Sequence, residues 1–113
     1  EMSIQTVQQG AVTVIRPIGP LTGADSDALR SAALEALRSA GGRFVLDLAG
    51  TAFVDSKALE ALVELNDQLR SLGGQLKLCG ENETIRQALD LTDLTALFQH
   101  FEDCHAAVRS FLA

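Results

Sequence analysis

The chain has 113 residues, a formal charge of −6 and 47% hydrophobic residues, which fits one domain over residues 1–113 with a substantial core. The acidic balance argues against direct binding of nucleic acid or an anionic membrane, because both need clustered lysine and arginine. The apolar runs are far shorter than the ~20 residues of a membrane-spanning helix, so we expect no membrane insertion.

A hairpin of two strands is predicted at the start of the chain. Apolar and β-branched residues alternate with polar ones on either side of a turn at Gly10-Ala11. Pro17 and Pro20 flank Gly19, and we expect them to end the second strand.

A first helix is expected after this hairpin, since apolar residues recur there at helical spacing. Thr22 or Asp25 can cap its start, and Gly41-Gly42 can stop it. The members of its apolar stripe are Leu29, Ala33, Ala36, Leu37 and Ala40.

A buried strand and a long helix are predicted next. The continuous apolar run RFVLDLAG (43–50) is typical of a central strand that is covered on both faces. A second helix begins near Asp55-Ser56, carries charged residues on its outer side and is closed by Gly73-Gly74. Its apolar stripe contains Ala58, Leu62, Leu65, Leu69 and Leu72, widened by Leu59 and Val63.

The last third of the chain continues the alternation of strand and helix. QLKLCG (75–80) predicts a strand, and a short helix is expected to start near Asn82 with Ile85 and Leu89 inward. ALFQHF (96–101) predicts a last strand, and the segment after it a terminal helix. The order β-β-α-β-α-β-α-β-α predicts an α/β fold with a mixed sheet of about five strands and about four helices.

Two roles remain open for Ser56, which stands where the second helix begins. A serine at this place is a common N-cap, worth about 1 kcal/mol relative to alanine, and Asp55 can cap equally well. Alternatively, its hydroxyl is accessible, and phosphorylation would add about −1.5 to −2 charge beside unpaired backbone amides that form an anion site. Lys57 is either a solvated residue that pairs with Glu60 or a contact for an acidic group.

The stretch LDLAGTAFVDSKALEALVELNDQLRSLGGQLKLCG (46–80) resembles the STAS domain, in the type found in anti-sigma-factor antagonists. VTVIRPIGPLT (12–22) and IRQALDLTDLTALFQHFEDCHAAV (85–108) resemble the same family, so the likeness spans nearly the whole chain. It implies the STAS fold and a non-catalytic regulatory module that binds a serine-kinase anti-sigma factor. It also implies that phosphorylation of Ser56 switches this binding.

The resemblance also indicates a partner-binding surface formed by the start of the second helix and the loops at 22–25 and 50–56. The chain departs from the family pattern at Lys57 and Ala58, which replace a small hydroxyl residue and a glycine. This departure leaves an alternative open: a constitutive STAS adaptor subunit of a transporter or signalling assembly, without a working phosphoswitch. The expected partner-binding residues are Thr22, Gly23, Asp55, Ser56, Lys57 and Glu60.

The remaining candidate residues favour structural roles. Asp47 ends the central strand, either as a turn residue or by accepting backbone N–H bonds that orient the following loop. Cys79 and Cys104 favour a reducing compartment, so we expect a cytoplasmic protein. The spacing of His100, Cys104 and His105 matches no zinc pattern, and no nucleotide loop or nucleophile elbow occurs. We therefore expect no metal, no cofactor and no enzymatic activity.

Overall fold

The five predicted strands form one mixed sheet in the computed structural model, which describes residues 2–112. The strands are β1 (Ser3–Gln9), β2 (Val12–Ile18), β3 (Phe44–Asp47), β4 (Lys77–Cys79) and β5 (Gln99–Phe101). The helices are α1 (Ser26–Ala40), α2 (Ser56–Ser71), α3 (Glu83–Leu91) and α4 (Cys104–Arg109), with 3-10 turns at Gly23–Asp25, Thr95–Leu97 and Ser110–Leu112. Within these residues no helix is both long and apolar enough to cross a membrane.

The order of the strands in the sheet follows their order in the chain. β1 pairs antiparallel with β2, as the alternation around Gly10-Ala11 predicted, and β2, β3, β4 and β5 are parallel neighbours. Each helical crossover therefore steps to the next strand in the same direction. Because such crossovers are right-handed, α1, α2 and α3 all lie on one face of the sheet. The predicted α/β architecture is confirmed.

The central strand β3 is buried on both faces, as its continuous apolar run predicted. Phe44 and Leu46 point into the main core, which they share with apolar residues of α1, α2 and α3. Val45 points to the other face, where a smaller cluster with Cys79 and Ala107 is covered by α4. A thick helical layer thus packs on one side of the sheet, and a short helix covers the other.

The second strand ends between the two prolines, as expected, whereas one residue expected in an apolar stripe lies outside it. β2 continues through Pro17 to Ile18, because the ladder with β3 ends at Ile15 and the missing N–H of proline costs no bond there. Leu72 does not join the apolar stripe of α2; it lies just past the helix end and is 68% exposed. Gly73, with φ of 84°, turns the chain away from the helix at that point.

The carboxyl ends of the parallel strands meet at one edge of the sheet, and the loops that follow them lie side by side there. An isolated parallel bridge joins Leu21, after β2, to Val54, after β3. The start of α2 is therefore placed next to the loop that precedes α1.

Candidate functional site

The loop at 48–55, which leads from β3 to α2, is fixed by bonds to both neighbouring loops. The Leu21 amide donates to the Phe53 carbonyl at 3.0 Å, and the Asp55 amide donates to the Leu21 carbonyl at 3.1 Å. From the other side, the Asn82 side-chain amide donates to a carbonyl of this loop at 2.9 Å. These bonds hold the first residues of α2 in a defined position at the edge of the sheet.

Asp55, and not Ser56, is the N-cap of α2. Its carboxylate accepts the Ala58 amide at 2.8 Å and, with its other oxygen, the Gly23 amide at 3.0 Å. These two backbone donors lower the pKa of Asp55 below its ordinary value, so the side chain is an anion at neutral pH. One carboxylate therefore starts the helix and ties the loop before α1 to it.

Ser56 is the first helical residue of α2, and its side chain is exposed. Within residues 2–112 its hydroxyl donates no hydrogen bond, because the capping role that we considered for it belongs to Asp55. The hydroxyl is therefore accessible to solvent, to a partner or to a modifying enzyme, and its loss removes no hydrogen bond among the described residues.

The amides at the start of α2 do not form an empty anion site. The Asp55 carboxylate already accepts the Ala58 amide at 2.8 Å. A phosphoryl group on Ser56 would therefore project outward beside an existing negative charge. The neighbouring acid therefore fills part of the anion site expected at this helix end, since it already holds the Ala58 amide.

Gly23 and Lys57 approach each other closely across the two loops. A Cβ placed on Gly23 would lie 2.7 Å from the Lys57 Cβ and 3.1 Å from its Cγ, so only glycine fits there. The aliphatic stem of Lys57 thus covers the loop before α1, while the residue as a whole remains exposed. Among the described residues its ammonium forms no ion pair with Glu60 or Asp55.

Thr22 fixes the shape of the neighbouring loop. Its amide and hydroxyl both donate to the Asp25 carboxylate, at 3.2 and 2.8 Å. Asp25 is the N-cap residue of α1, yet its side chain turns back to Thr22 and makes no capping bond to that helix. Thr22, Gly23, Asp55, Ser56 and Lys57 are thus brought together, as the resemblance implied.

An apolar groove of about 450 Å³ runs from Ser56 along α2. The side chains of Leu59 and Val63 form one wall, and Leu94, which follows α3, forms the other. Glu60 and Glu64 stand at the rim, and Glu64 accepts a bond from Arg30 at 3.0 Å. Glu60 therefore joins the candidate surface as a groove residue one turn after Ser56.

Sequence reasoning missed two apolar parts of this surface. Val63 and Leu94 meet only because α3 folds back against α2, a contact that no local pattern indicates. Phe53 is 44% exposed in the loop before Ser56; it lies within the predicted loop surface at 50–56 but was not named among the partner-binding residues. The missed residues add an apolar patch to a site that the sequence described as polar.

Asp47 lies apart from this surface, buried at the end of β3. Its carboxylate accepts the Arg16 side-chain N–H at 2.9 Å and the Ala49 amide at 3.0 Å. The second bond is of the loop-orienting kind expected for this residue. These contacts are consistent with a structural role.

The residues of the candidate metal pattern lie in two different places. His100 contacts the Glu81 carboxylate and the Thr95 carbonyl through its two ring nitrogens. Cys104 instead lies with Asp47 and Cys79, and their potential ligand atoms are all within 4.8 Å of one another. The proximity in sequence of His100, Cys104 and His105 therefore corresponds to no cluster among the described residues.

Comparisons with known proteins agree with this architecture. The family model of the STAS domain matches residues 3–107. A search of curated proteins finds no match. A putative anti-sigma factor antagonist from Thermotoga maritima superimposes with a TM-score of 0.88 at 19% identity, covering 97% of this chain and 95% of that one.

Two further structures share the fold in different settings. The phosphorylated form of SpoIIAA, a Bacillus cell fate determinant, has a TM-score of 0.70 at 18% identity, covering 96% of this chain and 99% of that one. The murine anion transporter Solute Carrier 26 family member A9 has a TM-score of 0.73 at 20% identity and covers 93% of this chain. The match occupies only 18% of the transporter, so there the fold is one part of a larger chain.

Proposed function

The chain belongs to the STAS domain family, and we propose that it is a non-catalytic, cytoplasmic protein-binding module of the anti-sigma-factor-antagonist type. Its partner is a serine-kinase anti-sigma factor, and phosphorylation of Ser56 by that partner switches the complex. The partner contacts the start of α2, the loop at 22–25 and the groove beside α2. The proposal needs no metal, no cofactor and no contact with nucleic acid.

The observation that carries this proposal is the position of the Ser56 hydroxyl. It is exposed at the first residue of α2, it makes no hydrogen bond within residues 2–112, and it borders the groove lined by Leu59 and Val63. A phosphoryl group attached there would change the surface without breaking a contact of the fold. This combination suits a modification that controls binding and leaves stability unchanged.

The added negative charge predicts that phosphorylation weakens partner binding. Phosphorylation adds about −1.5 to −2 charge beside the Asp55 carboxylate, with Glu60 one turn further along α2. A partner that covers the groove must then desolvate this cluster of negative charge, which is costly without new cationic partners. We expect the affinity to fall by about tenfold or more, since each tenfold step requires only about 1.4 kcal/mol.

The test uses the chain as bait in a native lysate of the source organism supplied with ATP. Wild type, Ser56→Ala and Ser56→Asp are compared, and mass spectrometry identifies captured proteins and maps phosphate. With ATP, we expect phosphate on Ser56 of the wild type. In a parallel lysate depleted of ATP, we expect capture of a kinase by wild type and Ser56→Ala but not by Ser56→Asp.

Ser71 provides the matched control, because it is an exposed serine at the opposite end of the same helix. Ser71→Asp adds the same charge to α2 and should leave kinase capture unchanged. Phosphate found only on other residues, or equal capture by Ser56→Asp and wild type, contradicts the switch.

A second candidate function is a constitutive adaptor in a transporter or signalling assembly. Lys57 favours it, because its exposed ammonium stands beside Ser56, next to the site where a phosphoryl group would be added. The occurrence of the fold within an anion transporter gives the idea a precedent. For an adaptor, Ser56→Asp should matter little, whereas Lys57→Glu should weaken the complex. Arg70→Glu, at the far end of α2, is the matched charge reversal and should have no effect.

A further inference from the structure

Two cysteines that are far apart in sequence lie next to each other in the fold. Cys79 is fully buried at the end of β4, and Cys104 is the half-buried first residue of α4. Their sulfur atoms lie within 4.8 Å of each other. We propose that this dithiol is an oxidation site at which small-molecule disulfides convert the pair into an intramolecular disulfide between β4 and α4.

The geometry allows this bond after small adjustments. A disulfide needs its sulfurs about 2.0 Å apart and its Cβ atoms about 3.8 Å apart. Rotation about χ1 swings each sulfur atom, and the six-residue helix α4, which packs on this face of the sheet, can follow with a slight shift. The strand β4, which is paired with β3 and β5, then provides the fixed side of the bond.

The third potential ligand in this cluster explains why oxidation, and not metal binding, fits the site. The Asp47 carboxylate is occupied by the guanidinium of Arg16 at 2.9 Å and by the Ala49 amide at 3.0 Å. The positive charge of Arg16 also partly offsets the rise that burial causes in the pKa of the Cys104 thiol. A metal cation would have to displace this guanidinium and compete with its positive charge, whereas disulfide formation leaves the Arg16–Asp47 pair in place.

The different burial of the two thiols assigns their roles in the exchange. Cys104 loses its proton to solvent, and its thiolate, next to Arg16, attacks one sulfur of the small disulfide RSSR and expels RS⁻. Cys79 then loses its proton and attacks the Cys104 sulfur of the mixed disulfide, expelling the second RS⁻. The two expelled RS⁻ ions take up the two protons that the cysteines released. In total, two protein thiols and RSSR give one protein disulfide and two RSH.

The protein environment makes the thiols slow to react but their disulfide stable. Burial raises the pKa of both Cys79 and Cys104, and the negative charge of Asp47 raises both further. The positive charge of Arg16 partly offsets this rise at Cys104. A thiol of high pKa is a poor leaving group, so the disulfide resists reduction once formed. The bond closes a loop of about 25 residues in the unfolded chain, and we expect the melting temperature to rise by on the order of 10 °C.

The experiment incubates the folded full chain with oxidised glutathione, then alkylates remaining thiols and measures the mass. We expect an intramolecular disulfide in wild type, with the mass of two hydrogen atoms lost and no retained glutathione. The melting temperature should rise accordingly and return when dithiothreitol is added. Cys104→Ser should show neither change, and because Cys104 is only half-buried this variant is expected to fold.

Three outcomes would overturn the proposal. One is a glutathione adduct on Cys104 that is never resolved by Cys79, and another is a disulfide that forms only between two chains. The third is stoichiometric binding of Zn²⁺ that protects both thiols from alkylation. The dithiol lies on the face of the sheet opposite α2, so its failure would not affect the proposal for Ser56.

Discussion

Replacing Gly23 with alanine perturbs the contact that joins the two loops of the candidate partner surface. The new methyl group would lie 2.7 Å from the Lys57 Cβ and 3.1 Å from its Cγ. The Lys57 Cβ is fixed to the backbone of α2, so it cannot rotate away. The loop at 22–25 must move instead, and this movement stretches the 3.0 Å bond from the Gly23 amide to Asp55.

The expected cost follows from two opposing terms. Insertion of a methyl group into a packed contact typically costs about 1–3 kcal/mol. Replacing glycine also restricts the unfolded chain, which returns about 0.4–1 kcal/mol. We expect Gly23→Ala to lower the free energy of unfolding by about 1–2 kcal/mol, and the melting temperature by roughly 5–10 °C.

Urea denaturation of a double-mutant cycle isolates this contact. Lys57→Gly removes the three side-chain carbons that the new methyl group would meet, so Gly23→Ala should cost about 1 kcal/mol less in that background. Gly74→Ala is the matched control, because its Cβ would have only ordinary contact, 3.5 Å from the Leu69 carbonyl. A Gly23→Ala variant that is as stable as wild type would refute the packing described for this surface. Purely additive effects of Gly23→Ala and Lys57→Gly on the free energy of unfolding would refute it as well.

Three further predictions concern α2. Asn66→Ala should lower stability by about 1–3 kcal/mol in urea denaturation, because the buried Leu76 amide loses its acceptor at 2.8 Å; an unchanged midpoint would contradict this bond. Ser56→Ala should change stability by less than about 0.5 kcal/mol, since Asp55 is the cap; a larger loss would return the capping role to Ser56. The pKa of Asp55 is depressed, so its stabilisation is complete above the ordinary value of 3.8 and is lost as the pH falls below it. Asp55→Asn should weaken this acid dependence in melting curves between pH 5 and pH 2, and an unaltered profile would count against the assigned bonds.

The sheet and its helical layer follow closely from the sequence. Hydrophobic residues recur about every 3.6 positions in the helices and at alternate positions or in short continuous runs in the strands. This change of spacing along the chain predicts the order of the elements. A sequential order of parallel strands then needs only right-handed crossovers to place α1, α2 and α3 on one face. Capping residues also predict some helix ends correctly: Asn82 is the N-cap of α3.

The cap of α2 illustrates what local patterns leave open. Asp55 and Ser56 are both good capping residues, so propensity does not choose between them. The choice is consistent with a long-range contact, because the Asp55 carboxylate also accepts the Gly23 amide. Sequence reasoning had placed Gly23 near this helix start but had no means to see that bond.

Two other features that sequence reasoning missed have different causes. Asn66 lies four residues after Leu62 and three before Leu69, so its spacing places it on the apolar face, where it binds the Leu76 amide. That signal was available and was not used. By contrast, the closeness of Cys79 to Cys104 depends on α4 folding back over the sheet, which no local pattern encodes.

The most direct test of the proposed switch compares two forms of the chain binding to the kinase captured from lysate. One form is unmodified, and the other is fully phosphorylated at Ser56, with both checked by circular dichroism for an unchanged fold. Isothermal titration calorimetry should show an affinity about tenfold or more weaker for the phosphorylated form. Equal affinities of two equally folded forms would contradict the claim that Ser56 controls partner binding.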